Sequence, residues 1–152
     1  MPRAPFNAFT FPYRNTRDGD VEYALLKRSD AGICHGASGG GEDDETPLEA
    51  AKRETFEEAG IAPDSPFLQL DTISPVPVVG FRDSHLWGED VYVIPQYYFA
   101  ALTELSDLVL SREHTESRWF SYEVAYPLLN FDSDQTALWE LNQRLRGRGP
   151  RE

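Results

Sequence analysis

Residues 39–61, GGGEDDETPLEAAKRETFEEAGI, constrain the fold more than any other stretch. Thr46-Pro47-Leu48-Glu49 forms a capping box with proline at the first helical position, a strong helix start. Gly60 is a natural left-handed stop, so the pattern predicts a helix from Pro47 to about Ala59. At 100° per residue, Glu54, Glu57 and Glu58 fall within roughly 100° of one another. Ala50 shares that sector and is expected to leave space above it. Leu48, Ala51, Thr55 and Ala59 form a separate stripe, which predicts the core face. Arg53 sits at the edge of the acidic face, where it can hold a carboxylate in place.

Three like charges on one helix face repel one another. The plain reading is a solvated acidic face, but two features argue for a ligand. The acids occupy the last half of the helix, where the macrodipole disfavours negative charge. They also follow a glycine loop, which lets backbone approach a ligand closely. Oxygen-rich, carboxylate-dominated sites suit hard cations such as magnesium or manganese.

The chain of 152 residues predicts one domain, 1–152, with a frayed tail at about 147–152. A net charge of −12 and a pI near 4.6 argue against nucleic acid or an anionic membrane as partner. No apolar run approaches the roughly 20 residues of a membrane span. The first residues, MPRAPFNAFTFPYRN, lack a signal-peptide pattern. The lone Cys34 excludes an internal disulfide and suits a reducing compartment, so the expected location is cytoplasmic.

FNAFTFPY and VEYALLKR (21–28) read as strands joined by the turn RDGD. FLQLDTI (67–73) reads as a strand, and SPVPVVGFRDSHLWGED as a long loop. VYVIPQYYFAALT (91–103) is the most β-prone segment, with Pro95 marking a bulge or an edge. ESRWFSY predicts a short strand and EVAYPLL a helical turn. The last helix is expected from about Ser133 to Arg146, with Leu138, Leu141 and Leu145 on one stripe and Gly147 as its stop. Together these predict an α/β fold, a mixed sheet covered by helices.

Gly39, Glu45 and Arg53-Glu54-Thr55-Phe56-Glu57-Glu58-Ala59-Gly60-Ile61 resemble the signature of the Nudix hydrolases, with every fixed position filled. Thr55 departs, being half-polar where the family prefers an aliphatic residue. The resemblance implies the Nudix α/β/α sandwich and hydrolysis of a nucleoside diphosphate linked to another group, with Mg2+ (or Mn2+) as cofactor. It implies Glu54, Glu57 and Glu58 as metal ligands, with a further ligand at the Ser38 carbonyl beside Gly39. It makes Arg53 an orienting residue and Glu45 a support for the loop. A last acid, ligand or general base, is expected from Glu113, with Glu116 as rival. Glu113-His114 and Trp119 resemble the same region of bacterial dihydroneopterin triphosphate pyrophosphatases. ASGGGEDDETPLEAAKRE resembles a related bacterial group acting on dATP or other nucleoside triphosphates. Both imply a small nucleotide-like substrate cleaved to monophosphate and pyrophosphate.

Around that site Ser38 and Gly39 are expected beside the substrate. Lys27 and Arg28 are either phosphate contacts, as in the resembling branch, or a solvated strand end. Arg82 is either a loop-borne phosphate contact or surface. Ser133 contacts substrate or caps the last helix. Trp87, Tyr92, Tyr97 and Tyr98 are candidates to stack on a base, or core. His114 is structural, superficial or substrate-facing. Cys34 is no nucleophile candidate. Alternatives to the leading reading are a dinucleoside polyphosphate or nucleotide-sugar hydrolase of the same family, and a non-catalytic nucleotide-binding module. A calcium loop at GGGEDDE lacks EF-hand spacing. The expected assembly is a monomer or a homodimer.

Overall fold

The structure, a computed structural model, describes residues 3–29, 34–112 and 114–146. Its strands are β1 (Arg3–Asn15), β2 (Val21–Arg28), β3 (Cys34–His35), β4 (Ala37–Glu42), β5 (Phe67–Pro77), β6 (Val93–Leu102) and β7 (His114–Phe120). Its α-helices are α1 (Pro47–Ala59), α2 (Tyr122–Leu128) and α3 (Asp132–Leu145), and a 3-10 helix covers Arg82–Trp87. The strands form one mixed sheet in the order β3-β2-β1-β6-β5, with β4 also on β1 and β7 also on β2. β1 runs parallel to β6, and the other pairings are antiparallel.

Successive side chains on a strand point to opposite faces, and here both faces are covered. Phe9, Phe11, Tyr23, Leu25, Tyr98 and Ala100 pack with Ala137, Leu138 and Leu141 of α3. The alternate positions Ala8, Ala24, Leu26, Phe99 and Ala101 face Ala50, Ala51 and Ala59 of α1. Burying each Leu of α3 contributes about 1.5–3 kcal/mol. The result is the α/β/α sandwich that the sequence predicts.

α1 begins as its capping box requires: Thr46 Oγ1 accepts from Glu49 N–H at 3.1 Å, and Glu49 Oε1 accepts from Thr46 N–H at 2.8 Å. Gly60 closes it with φ 76°. Its rotation on the sheet differs from the expected one. Leu48 is 38% exposed, whereas Ala50, Ala51, Thr55 and Ala59 are fully buried and Glu58 is 4% exposed. The space expected above Ala50 is filled by Ala8 and Phe99. The sheet therefore meets the helix partly on its acidic sector, which turns Glu58 inward.

Three further expectations are corrected. The glycine-rich stretch is strand β4, held on β1 with Gly39 opposite Ala8 and Gly40 opposite Asn7. β5 continues through Ser74-Pro75-Val76-Pro77, which the sequence placed in a loop. It tolerates both prolines because it is an edge strand, bonded only to β6. Pro95 obeys the same rule, since the β1 pairing of β6 begins one residue later, at Gln96. Ser133 is not the cap of α3; Phe131 holds the N-cap position without a side-chain hydrogen bond, and Ser133 lies inside the helix. Gly147 lies outside the described residues.

Candidate functional site

β4 and α1 bring two glutamates onto neighbouring backbone. The Ser38 N–H donates to Glu58 Oε1 at 3.0 Å. One turn earlier, the Glu54 carboxyl presses on Gly39, where an added Cβ would lie 2.2 Å from Glu54 Cδ. Gly39 does not have a positive φ, so its need is for closeness rather than for a special backbone conformation. Arg53 fixes the outer side of this pair. Its Nε donates to Glu45 Oε2 at 2.8 Å and its Nη2 to Glu45 Oε1 at 3.0 Å, a bidentate clamp. The same guanidinium donates to the Gly40 carbonyl at 2.9 Å and to Glu54 Oε2 at 3.0 Å. The bond to Arg53 holds the Glu45 carboxyl below the usual range, and the bond to Glu45 holds Arg53 above its own. Glu45 also accepts from the Glu42 N–H at 2.8 Å, closing the corner between β4 and α1.

Glu57 is turned outward. Its side chain is 54% exposed and lies 3.5 Å from Arg53 Nη1. Among the described residues no three Asp, Glu, His or Cys side chains are gathered into a metal cage. Arg53 holds Glu54, the Ser38 N–H holds Glu58, and Glu57 leans to solvent. The donor chemistry does fit a hard divalent ion, with two carboxylates on adjacent turns against backbone at Ser38–Gly39.

A cleft of about 430 Å³ starts at Ser38 and runs across the sheet. Asn7, Phe9, Gln96, Ser133 and Asp134 line it, and so do Arg28, His35, Phe131 and β5 residues Ser74 to Pro77. Asn7 Nδ2 donates to Gln96 Oε1 at 2.6 Å, Gln96 Nε2 to Tyr98 Oη at 2.9 Å, and Tyr98 Oη to Asp134 Oδ1 at 2.6 Å. Asp134 is 4% exposed; burial pushes its carboxyl up, and the bond from Tyr98 partly opposes this. Burial and the Asp134 charge push the Tyr98 phenol up. At the other end Arg3 donates to Asn7 Oδ1. Its guanidinium stacks 4.6 Å from the Phe81 ring centre, and burial lowers its pKa against the raising effect of Glu54 and Asp83.

A family model described as NUDIX domain matches residues 7–139. The chain belongs to the Nudix family. It is 39% identical to a Listeria monocytogenes protein assigned as a NUDIX hydrolase, with a TM-score of 0.83, over 95% of this chain and 96% of that one. An E. coli dihydroneopterin triphosphate pyrophosphohydrolase shares the fold at 20% identity and a TM-score of 0.72, over 93% of this chain and 99% of that one. A C. elegans Ap4A hydrolase shares it at 21% identity and a TM-score of 0.70, over 95% and 99%. As a Nudix hydrolase the protein is an enzyme acting on phosphoric anhydride bonds, and the family generally uses divalent metal ions.

The Nudix signature residues thus lie where β4 meets α1, but the expected substrate contacts are divided. Ser38, Arg28 and Ser133 line the cleft. Lys27 is exposed and does not line it; nor does Arg82, exposed on the 3-10 helix. Glu113 lies outside the described residues. Its rival Glu116 is exposed, 3.7 Å from Arg118, and away from the cleft. None of the four candidate stacking aromatics lines the cleft. Tyr98 is buried, Tyr97 packs edge-on against Phe6, and Tyr92 is 76% exposed. Trp87 Nε1 donates to the Arg3 carbonyl at 2.7 Å, which fastens the 3-10 helix to the start of β1. His114 is buried, its Nε2 3.3 Å from His35 Nε2. The sequence reading missed Arg3, Asn7, Gln96, Phe131 and Asp134. No shared sequence signal marks them, because they come from separate elements that only the fold brings together. Among the described residues no helix is long and apolar enough to cross a membrane.

Proposed function

We propose that this enzyme hydrolyses a nucleoside triphosphate-like compound, similar to dATP or dihydroneopterin triphosphate, to monophosphate and pyrophosphate with Mg2+, or with Mn2+ in its place. The observation that carries the reading is the alignment of two sites. Glu54 and Glu58 stand against Ser38–Gly39 at one end of a cleft whose other end holds Phe131 and Asp134. A polyphosphate at the first end leaves a heterocycle at the second.

Glu54 and Glu58 would hold the ion, with Glu57 able to swing inward from solvent and Glu113 as the remote carboxylate. Bound there, a divalent ion acidifies a water and offsets charge on phosphate oxygens. Arg53, committed to Glu45, Glu54 and Gly40, orients the carboxylates rather than touching substrate. Ser38 and Gly39 let the chain of phosphates approach backbone. Arg28 and Ser133 reach the substrate from the cleft walls; Lys27 and Arg82 serve only if their segments bend toward it. The reading treats residues 1–152 as one domain acting as a monomer or homodimer. The lone Cys34 supports a cytoplasmic location, and the acidic surface supports neither nucleic acid nor membrane as partner.

The test is product analysis on dATP, dihydroneopterin triphosphate, Ap4A and nucleotide sugars with Mg2+. Pyrophosphate plus monophosphate from a triphosphate supports the reading. Turnover confined to compounds that release two nucleotides, or none at all, sinks it.

A further inference from the structure

The side-chain chain beneath the cleft has a direction, and one end of it sets that direction. Arg3 carries only donors. Its Nη2 therefore meets the Asn7 oxygen, which turns Asn7 Nδ2 toward Gln96 Oε1 and Gln96 Nε2 toward Tyr98 Oη. Reversing either amide would set donor against donor or acceptor against acceptor. Tyr98 has one proton and two acceptors within reach, Ser133 Oγ at 3.2 Å and Asp134 Oδ1 at 2.6 Å, and the shorter contact to the carboxylate takes it. Asp134 ends the chain as an acceptor.

Its second oxygen, Oδ2, has no protein partner among the described residues, although the residue is 4% exposed and lines the cleft. No ion pair neutralises it among the described residues. A carboxylate in the first turn of α3 gains from the helix dipole, but an exposed one would gain as well. Oδ2 is not sealed off: it keeps access to the cleft, where a ligand N–H can take the place of water. Phe131, 55% exposed, lines the same cleft together with Pro75 and Pro77, and these present flat apolar faces to a ring.

We propose that Asp134 determines specificity, selecting a heterocycle that presents two adjacent N–H donors: a ring N–H beside an exocyclic amino group, as in guanine and the 2-amino-4-oxopteridines. The inference rests on reading the cleft as the heterocycle's site and narrows that reading. Guanine gives the carboxylate two donors. Hypoxanthine lacks the amino group and gives one. Adenine sets a ring lone pair beside its amino group and so opposes one carboxylate oxygen.

Calorimetric binding of GMP, IMP, AMP and XMP in the presence of Mg2+ tests this without turnover. GMP should bind at least about tenfold more tightly than IMP, from which it differs only by the amino group, and more tightly than AMP. In Asp134→Asn the amide oxygen keeps the Tyr98 bond and the NH2 faces the cleft. XMP, with a carbonyl in place of the amino group, should then outbind GMP. Equal affinity of the wild-type protein for GMP and IMP, or binding of neither, would overturn the proposal. So would an Asp134→Asn variant that keeps the guanine preference. Absence of pyrophosphate release would instead strike the proposed reaction, and release with no preference among bases would strike only this inference.

Discussion

The Gly39 α-carbon and the Glu54 carboxyl pack so closely that a methyl group on Gly39 would lie 2.2 Å from Glu54 Cδ. Gly39 has no positive φ, so alanine suits its backbone. The obstacle is the far end of a side chain, which can move. Gly39→Ala should therefore fold with a loss of less than about 1 kcal/mol. Displacing Glu54 from Ser38–Gly39 should lower kcat at least about tenfold, or about 1.4 kcal/mol of barrier. Thermal melting paired with a hydrolysis assay checks both parts, and full activity in a folded variant contradicts the placement of Glu54.

Glu58 is buried on the other side of the same corner, and the Ser38 N–H donates to it. Glutamine preserves that bond through its amide oxygen but removes the charge. Glu58→Gln should keep the wild-type melting temperature within a few degrees and lose roughly 100-fold in kcat. A loss below about tenfold means that the ion does not sit on this carboxylate.

Arg53 joins Glu45, Glu54 and the Gly40 carbonyl through three separate donors. Lysine carries a point charge and cannot span them. Arg53→Lys should lose about 1–2 kcal/mol of stability and at least about tenfold in kcat, with KM nearly unchanged, because the residue orients carboxylates and does not contact substrate. A rise in KM with kcat preserved would place the guanidinium on the substrate instead.

Local rules made α1 legible in sequence. Its capping box, first-turn proline and terminal glycine act within a few residues, and the structure follows them to the residue. The rotation of α1 was not legible, because it depends on Ala8 and Phe99 reaching Ala50 from distant strands. The glycine run read as a loop for the same reason. Gly39, Gly40 and Gly41 are small because Glu54, Arg3 and Phe6 lie where their side chains would go, and those neighbours are nonlocal. The end of the site at Ser38–Gly39 was thus written in one contiguous motif. The rest of the cleft is assembled from β1, β5, β6 and the start of α3, so Asn7, Gln96, Phe131 and Asp134 carried no joint signal. Thr55, the one departure from the signature, is fully buried, and its hydroxyl has no partner among the described residues.

Glu140 of α3 holds the irregular part of β5, where the register shifts between Gln69 and Ile73. Its Oε1 accepts from the Thr72 N–H at 2.9 Å and from Thr72 Oγ1 at 2.6 Å, and its Oε2 accepts from Arg144 Nε at 2.8 Å. Burial pushes its carboxyl up, but the bonds from Asp71, Thr72 and Arg144 bring it below the usual range. Glu140→Ala leaves those donors unpaired and should cost about 2–3 kcal/mol by chemical denaturation. The irregular stretch precedes Ser74–Pro77, which line the cleft, so KM should rise while kcat changes little. An unchanged KM would separate the clamp from the cleft wall.

Asp134 gives a pH signature of the opposite sense to a paired carboxylate. Burial raises its folded-state pKa above the unfolded value near 3.9, with Tyr98 facing it as hydrogen-bond donor. The folded state therefore binds the proton more tightly than the unfolded chain. Its contribution to stability is present below the unfolded pKa and is lost as pH rises through the folded one. Asparagine has the same shape and no charge to bury. Asp134→Asn should thus be more stable than wild type at pH 7–8, by roughly 1 kcal/mol, with the gap closing toward pH 4. Paired melting curves across that range measure the gap directly. A variant less stable than wild type at neutral pH would mean that the Tyr98–Asp134 bond outweighs the burial of charge, and Asp134 would then be a structural residue.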